Sequence, residues 1–291
     1  IVSAISSSLP PTLPGLAGVA FTSFQMLTIA TSYASETNPE TRAQYSKFAN
    51  KVNAAGAKKD GFGSTKTWPS QIGMMVIYSP ALLASLMLLF LGSPAVAGNS
   101  IVANLPIAIP HPSPAAALCA IHFAKRVLEV LFLHKYSGRV DRGTPSFVGF
   151  YYAVVAILVA FTSEPSPSNS MRQIGTAFFA LGIAGNFYHH YLLAALRKSP
   201  IDDGTNGVST TKYIAPKGGL FDYVAAPHYL FELIGWLGMA IVSNHLNVYL
   251  VFLSMSSYLS GRSVAQNEFN RNKFDSNDWP EDRKNLIPFV F

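Results

Sequence analysis

The stretch of sequence that decides the fold opens with Gly185-Asn186-Phe187-Tyr188-His189-His190-Tyr191, followed by Leu196-Arg197. After a polar loop it continues with Tyr213-Ile214-Ala215-Pro216-Lys217-Gly218-Gly219-Leu220-Phe221, and it ends with Pro227-His228-Tyr229-Leu230-Phe231-Glu232. Asn, Arg, His and Glu here lie next to or inside strongly apolar segments. Since an ionisable side chain at membrane depth costs roughly 2.5–3.5 kcal/mol on insertion scales, it usually faces a partner or a cavity. The stretch therefore predicts a polar pocket inside a helical membrane protein.

Charged residues are scarce along the whole chain, which favours a membrane protein. Of the 291 residues, 49% are hydrophobic and 12% are charged, whereas a soluble domain carries about 25% charged residues. The net charge of +6 is typical of basic loops beside a membrane, and without an interleaved basic and aromatic pattern it predicts no nucleic-acid partner. A single cysteine, Cys119, excludes an intrachain disulfide, and its apolar neighbours predict a packing role.

Apolar stretches that reach or approach membrane-spanning length, roughly 20 residues, occur seven times. The predicted spans are Leu13–Tyr33, Ile72–Leu91, Ala115–Leu133, Phe147–Phe161, Ile174–Leu196, Tyr229–Val242 and Leu246–Leu259. Because backbone polar groups in lipid must be paired internally, the sequence predicts an all-α polytopic membrane protein with about seven transmembrane helices in one bundle. Six spans remain an alternative.

The predicted organisation is a tail at 1–12 and a single transmembrane domain at 13–291, with a polar loop at 36–68 and a polar C-terminal segment at 262–291. The Ser- and Pro-containing opening lacks the basic start of a signal peptide. The destination membrane therefore cannot be read from the first residues.

The third predicted span carries an unusual set of charges. His122, Arg126 and Glu129 recur at helical spacing and share one face, and Lys125 and Glu129 form an i, i+4 pair. One interpretation is a cationic wall for an anionic cofactor. The other is that Lys125 and Arg126 extend from a helix end toward lipid headgroups.

The later spans carry weaker polar signals. Asn186, His190 and Arg197 lie near one face, where Asn and His can also simply bond between helices. His228 and Glu232 are spaced i, i+4, but no second His or Cys cluster completes a metal site, so no metal is predicted. Lys217-Gly218-Gly219 is compatible with a phosphate loop or with an ordinary turn. The sequence contains no serine-hydrolase elbow, Walker loop or Rossmann fingerprint.

The order of these elements resembles the steroid 5α-reductase family, which includes polyprenol reductases and very-long-chain enoyl-CoA reductases. The Gly-Asn element with Leu196-Arg197, the Tyr-x-x-Pro-x-Gly-Gly-Leu-Phe element, the His-Tyr-x-x-Glu element and the ending Arg283-Lys284-Asn285-Leu286-Ile287-Pro288-Phe289 carry the resemblance. The third span, with Phe132, His134, Tyr136 and Ser137, looks closest to plant-type and enoyl-reductase-type members.

The resemblance implies an NADPH-dependent enzyme that reduces a carbon–carbon double bond conjugated to a carbonyl in a lipid-like substrate. Matching the family's cofactor-pocket positions residue by residue predicts that NADPH contacts Arg126, Asn186, His190, Arg197, Tyr213, His228, Trp236 and Arg262. Glu232 is predicted to be catalytic. Family habit implies the endoplasmic reticulum, although a plastid or mitochondrial membrane is equally compatible with a chain that begins at Ile1.

Several positions depart from the family pattern. Phe123 stands where steroid-reducing members have a catalytic Tyr and cannot donate a proton, so Tyr78 becomes the predicted donor, against an alternative in which it only packs. Gln266 and Asn270 replace an expected His and Tyr, and His190 replaces a common Asp. These changes open a second hypothesis, a catalytically degenerate member that serves as a structural subunit of a larger membrane complex. Lipids and other membrane subunits are the expected partners.

Overall fold

The computed structural model describes residues 12–43, 67–136, 138–162, 168–196 and 214–291. Within these ranges the chain is mostly helical. The helices are α1 (Gly15–Thr37), α2 (Ser70–Leu91), α3 (Pro94–Ala97), α4 (Ser100–Ala103), α5 (Pro114–Leu128), α6 (Gly143–Thr162), α7 (Asn169–Ala195), α8 (Pro227–Ser243) and α9 (Leu246–Arg271). Two short strands, β1 (Thr67–Pro69) and β2 (Arg139–Asp141), pair antiparallel with Trp68 opposite Val140.

The all-α prediction is confirmed, and each of the seven predicted spans coincides with a long helix among the described residues. Two helices, α2 and α6, combine the length and mean hydropathy (2.2 and 1.8) of a membrane span. Their outer surfaces are apolar: Leu83, Phe90 and Phe150 are 66%, 64% and 69% exposed. Outward apolar side chains of this size are what a lipid-facing helix presents. The transmembrane character of the other five helices stays a prediction.

Helices α7 and α8 approach each other closely along glycines. A Cβ added to Gly182 would lie 2.3 Å from the backbone nitrogen of Gly235, and one added to Gly238 would lie 2.4 Å from that of Phe179. Small residues allow helix backbones to pack tightly in membrane proteins, where no hydrophobic effect drives helices together. This contact brings the polar residues of α7 against those of α8.

The remaining packing places α5 and α8 at the centre. Helix α2 packs against α5 and α6, α8 also contacts α5 and α9, and α1 packs along α9. Ser113 caps α5 by accepting from the backbone of Ala116, and Pro114 occupies the first helical position, where its missing N–H costs nothing. At its other end α5 runs into a π-helical turn, Glu129–Leu133. Such turns often occur at functional sites.

Candidate functional site

The charged residues at the end of α5 and at the start of the π-helical turn point into the bundle. The side chains of Lys125, Arg126 and Glu129 are 11%, 12% and 2% exposed. Lys125 Nζ lies 2.8 Å from Glu129 Oε1, and Arg126 Nη1 lies 2.8 Å from Glu129 Oε2. Both cations are therefore buried and paired with Glu129 instead of extending toward headgroups, and a cofactor-binding role for them stays a prediction. We call the residues around Glu129 the central cluster: Tyr78, His122, Lys125, Arg126, Glu129, His134, Asn186, His190, His228, Glu232 and Trp236.

Helix α2 brings Tyr78 to Arg126. The guanidinium donates through Nη2 to the Tyr78 hydroxyl at 2.5 Å, and its carbon lies 4.6 Å from the centre of the tyrosine ring. On its other side the ring stacks against Tyr152, with centroids 6.0 Å apart. Tyr78 is thus buried beside a cation, as a hydrogen-bonding residue would be, and is not surrounded by apolar packing alone.

Helix α7 contributes His190 and Asn186. His190 Nδ1 lies 3.1 Å from Glu129 Oε1 and 3.1 Å from Arg126 Nη1. Asn186 accepts a hydrogen bond from Lys125 and donates to the backbone carbonyl of His228 at 2.8 Å. One amide therefore links α5, α7 and the start of α8.

Glu129, His134 and His190 offer ligand atoms within 4.8 Å of one another, the one such group of potential metal ligands found in the described part of the chain. Both oxygens of Glu129 already bind Lys125 and Arg126. Two adjacent cations repel a metal ion, so the prediction of no metal is retained.

Burial of His134, just beyond the helical segment, lowers its pKa to about 3, because water no longer solvates the charged form.

Glu232 and Trp236 of α8 complete the cluster with His122 of α5. His122 Nε2 lies 3.4 Å from Glu232 Oε1, and the His122 ring lies 5.1 Å from that of Trp236. Phe123 is fully buried, and the centre of its ring lies 5.4 Å from that of Tyr152. An apolar ring therefore fills the space next to the histidine where a tyrosine was expected from the family pattern.

The second half of the chain, which contains α7 and α8, matches a known protein family. A family model described as 3-oxo-5-alpha-steroid 4-dehydrogenase matches residues 146–291, half of the chain. The chain belongs to the steroid 5α-reductase family. The matched half contains the family residues of α7 and α8, whereas Tyr78 and the charges of α5 lie before it.

The names of similar proteins in this family describe different activities. The very-long-chain enoyl-CoA reductase of Dictyostelium discoideum is 26% identical over 60% of this chain and 57% of its own. The 3-oxo-5-alpha-steroid 4-dehydrogenase 1 of Rattus norvegicus is 35% identical over 40% of each chain. The polyprenal reductase of Xenopus tropicalis is 31% identical over 61% of this chain and 60% of its own. The match thus spans about 40 to 60% of the length of these relatives. The predicted closeness to plant-type members stays a prediction.

Not every family position falls in the central cluster. Arg262 instead contacts the C-terminal end of α1. Its Nη1 donates a hydrogen bond to Glu36 Oε2 at 2.9 Å, and both side chains are buried. Gln266 and Asn270 bond to each other at 3.1 Å instead of to the cluster. Arg197 and Tyr213 lie outside the described residues.

The glycine loop behaves as a turn. Gly218 and Gly219 adopt positive φ angles of 88° and 56°, which glycine tolerates without a steric penalty. The Gly218 amide donates to Asp222 at 2.9 Å, and Lys217 forms an exposed ion pair with Asp278 at 2.8 Å. Turn chemistry therefore accounts for this loop.

Sequence reasoning left four cluster members out of the predicted site: His122, Lys125, Glu129 and His134. For three of them the signal was present, because His122 and Glu129 share a helical face with Arg126 and Lys125 forms an i, i+4 pair with Glu129. His134 gave no such signal, since it follows the π-helical turn and helical spacing does not extend through it.

Proposed function

We propose that this protein reduces, with NADPH, a carbon–carbon double bond conjugated to a carbonyl in a lipid substrate. The observation that carries the proposal is the buried central cluster, in which the cations Lys125 and Arg126 contact Tyr78, Asn186 and Glu129. A family of lipid reductases supplies the reaction class. An enoyl thioester, an isoprenoid or a steroid-like enone are the candidate substrates.

The donors of the cluster suit an acceptor-rich dinucleotide. Among the described residues, the buried Trp236 Nε1 and Arg126 Nε atoms have no hydrogen-bond partner. An unpaired buried donor is costly, so a ligand with phosphate and amide oxygens would relieve it. We expect Arg126, Trp236 and Asn186 to hold NADPH, together with His190 and His228.

NADPH, when bound, supplies the hydride for the β-carbon of the substrate. Negative charge then develops on the substrate's carbonyl oxygen, where a positioned donor in a dry site is most effective. Tyr78 is the proposed donor, since Arg126 holds its hydroxyl in place at 2.5 Å. Glu232 is the second proposed catalytic residue. It lies 3.4 Å from His122, and we expect its carboxylate to orient the His122 ring within the central cluster.

The proposed setting is a single bundle at 13–291 with seven spans, beside a polar loop at 36–68 and a polar C-terminal segment at 262–291. Helices α2 and α6 have the length and hydropathy of spans, and substrates with long apolar chains dissolve in the same bilayer. The endoplasmic reticulum is the proposed location by family habit, with plastid and mitochondrial membranes as alternatives.

A second candidate is a degenerate family member acting as a structural subunit of a membrane complex. Two observations favour it. Phe123 cannot donate a proton, and the two predicted cofactor arginines among the described residues are neutralised by the chain's own carboxylates, Arg126 by Glu129 and Arg262 by Glu36. In this case the central cluster would serve only to hold α5, α7 and α8 together.

Equilibrium binding of NADPH to detergent-purified protein separates the two candidates. We expect micromolar affinity for the wild type and a loss of at least tenfold in Arg126→Ala, whereas the exposed control Arg172→Ala retains the wild-type affinity. Turnover of an enoyl or enone lipid by the same preparation would complete the assignment. A folded wild-type protein with no saturable binding contradicts the reductase and favours the structural subunit.

A further inference from the structure

Residues 286–291 form a closed turn, which we call the apolar turn. The amides of Leu286 and Ile287 both donate to the carbonyl of Phe291, at 2.8 and 2.9 Å, and the Phe291 amide donates back to the Ile287 carbonyl at 3.0 Å. Leu286 belongs to the main hydrophobic core, and Phe291 packs against that core. Both ends of the turn are therefore fixed to the helical bundle.

The residues between these two ends expose apolar side chains, although most of the segment around them is polar. Ile287, Phe289 and Val290 are 42%, 80% and 74% exposed. Phe289 also has a positive φ angle of 64°, a left-handed conformation that is uncommon for a bulky residue. Such a conformation persists only where the surrounding structure imposes it, and it often marks a functional position. The turn thus holds a large apolar side chain outward at some cost to its backbone.

The apolar turn lies beside the start of α8. Val224 and Lys284 form a parallel β-bridge, and the amide of Ala226 donates to the Asn285 carbonyl at 3.1 Å. Helix α8 begins at the next residue, Pro227. The turn therefore lies at the level where α8 begins, which is the membrane surface in the proposed membrane setting.

Half-exposed tyrosines lie at the same level. Tyr223, four residues before α8, is 50% exposed, and its ring lies 5.6 Å from that of Phe289. Tyr188 and Tyr191 near the end of α7 are 47% and 49% exposed. A Cβ added to Gly219 would lie 2.9 Å from the Tyr188 ring, so the loop before Tyr223 packs against this part of α7. Tyrosine is enriched at membrane–water interfaces because its ring is apolar and its hydroxyl is polar.

We propose that the apolar turn is an interfacial anchor, in which Ile287, Phe289 and Val290 insert into the bilayer just beneath the lipid headgroups. This inference rests on the proposed membrane setting and not on the NADPH site. An exposed apolar patch bordered by polar residues marks a protein or membrane interaction site, and the level shared with α8 and the tyrosines favours the bilayer. Lys284, two residues before the turn, is exposed, and its charge complements anionic headgroups.

Nitroxide spin labels report whether the turn lies in lipid. Cys119 is the single cysteine and is buried, so labels can be attached at Phe289→Cys, Phe150→Cys and Glu281→Cys in a Cys119→Ala background. Phe150 faces outward on α6, and Glu281 is an exposed polar position close to the turn. In proteoliposomes we expect the Phe289 and Phe150 labels to be accessible to oxygen and shielded from a water-soluble nickel chelate. The Glu281 label should be accessible to the chelate.

The other outcomes overturn different statements. Equal chelate access at the Phe289 and Glu281 labels, with the Phe150 label shielded, overturns the anchor and leaves the membrane setting intact. Shielding of the Phe289 label from both oxygen and chelate indicates a protein partner, such as a second copy of this chain, and also overturns the anchor. Chelate access at the Phe150 label overturns the membrane setting and the anchor with it.

Replacing Phe289 by asparagine gives a test in which the two interpretations predict opposite signs. Asparagine adopts positive φ angles more readily than phenylalanine, so without lipid contact Phe289→Asn should slow hydrogen exchange of the turn amides or leave it unchanged. Loss of a buried phenylalanine side chain instead favours opening of the turn by at least about tenfold. We therefore expect exchange at Leu286, Ile287 and Phe291 in proteoliposomes to become at least about tenfold faster.

A second variant separates lipid contact from the contact between Phe289 and Tyr223. Val290→Thr keeps the branched shape and leaves both rings in place, but it adds a hydroxyl that is costly in an apolar environment and tolerated in water. We expect faster exchange by a smaller factor in Val290→Thr and no change in the control Glu281→Gln. Exchange that is no faster in either folded variant than in the wild type overturns the anchor.

Discussion

Removing the charge of Glu129 is the sharpest test of the central cluster. The carboxylate is 2% exposed and neutralises two cations, Lys125 and Arg126, each at 2.8 Å. It also lies 3.1 Å from His190 Nδ1. Glu129→Gln keeps the size of the side chain but leaves both cations buried without their counter-charge.

The expected cost is large because the lost partner is buried. Breaking a buried ion pair by removing one partner costs about 3–5 kcal/mol, since an uncompensated charge remains in a poorly solvated site. For a chain of this size each kcal/mol lowers Tm by roughly 2–4 °C. Glu129→Gln should therefore lower the Tm of the detergent-solubilised protein by roughly 6–20 °C.

A surface glutamate provides the matched control for this measurement. Glu268 is 53% exposed and lies 3.8 Å from Arg42, which is 8% exposed. Arg42 keeps its hydrogen bonds to the Glu36 and Thr37 carbonyls, so loss of the solvated carboxylate should cost only about 0–1 kcal/mol. Thermal unfolding followed by intrinsic fluorescence should show little change for Glu268→Gln. If both substitutions shift Tm by the same few degrees, Glu129 does not hold the cluster together and the buried ion-pair network is refuted.

Three further predictions concern packing, catalysis and pH. Gly182→Val should lower Tm by several degrees and weaken the contact between α7 and α8, because its Cβ would lie 2.3 Å from the Gly235 nitrogen; an unchanged unfolding curve would contradict this packing. Tyr78→Phe should reduce kcat on an enone lipid by roughly 10²–10³-fold with NADPH affinity preserved, and an equal loss of affinity would instead show a purely structural role. Burial lowers the pKa of His134 to about 3 from its ordinary 6.5, so the unfolded state binds the proton more readily and stability should fall as pH drops from 7 to 5. His134→Gln should flatten that dependence of Tm on pH, and an identical slope in both proteins would exclude His134 as its source.

Much of the fold could be predicted because the relevant signals are local. Runs of apolar residues such as Ile72–Leu91 give α2 within two residues at its start, since a helix in lipid satisfies its own backbone. The shared face of His122, Arg126 and Glu129 follows from helical spacing alone. The order of the family motifs also requires only the sequence.

The helix ends were less predictable. The last span was expected to stop at Leu259, yet α9 continues to Arg271 through a polar stretch. Buried contacts outweigh the loss of apolar character there: Asn267 donates to the Arg283 carbonyl and accepts from Trp279 Nε1, each at 2.8 Å. Hydropathy alone does not register partners that come from a later segment.

The sequence by itself determined the helices, the family and which residues of one helix share a face. The tertiary structure alone decided which polar residues meet. It places Arg126 against Tyr78, 48 positions away, and directs Arg262 to Glu36, 226 positions away. The physical reason is that a buried ion pair between helices depends on how each helix is rotated and how deeply it packs, and a local sequence period contains neither.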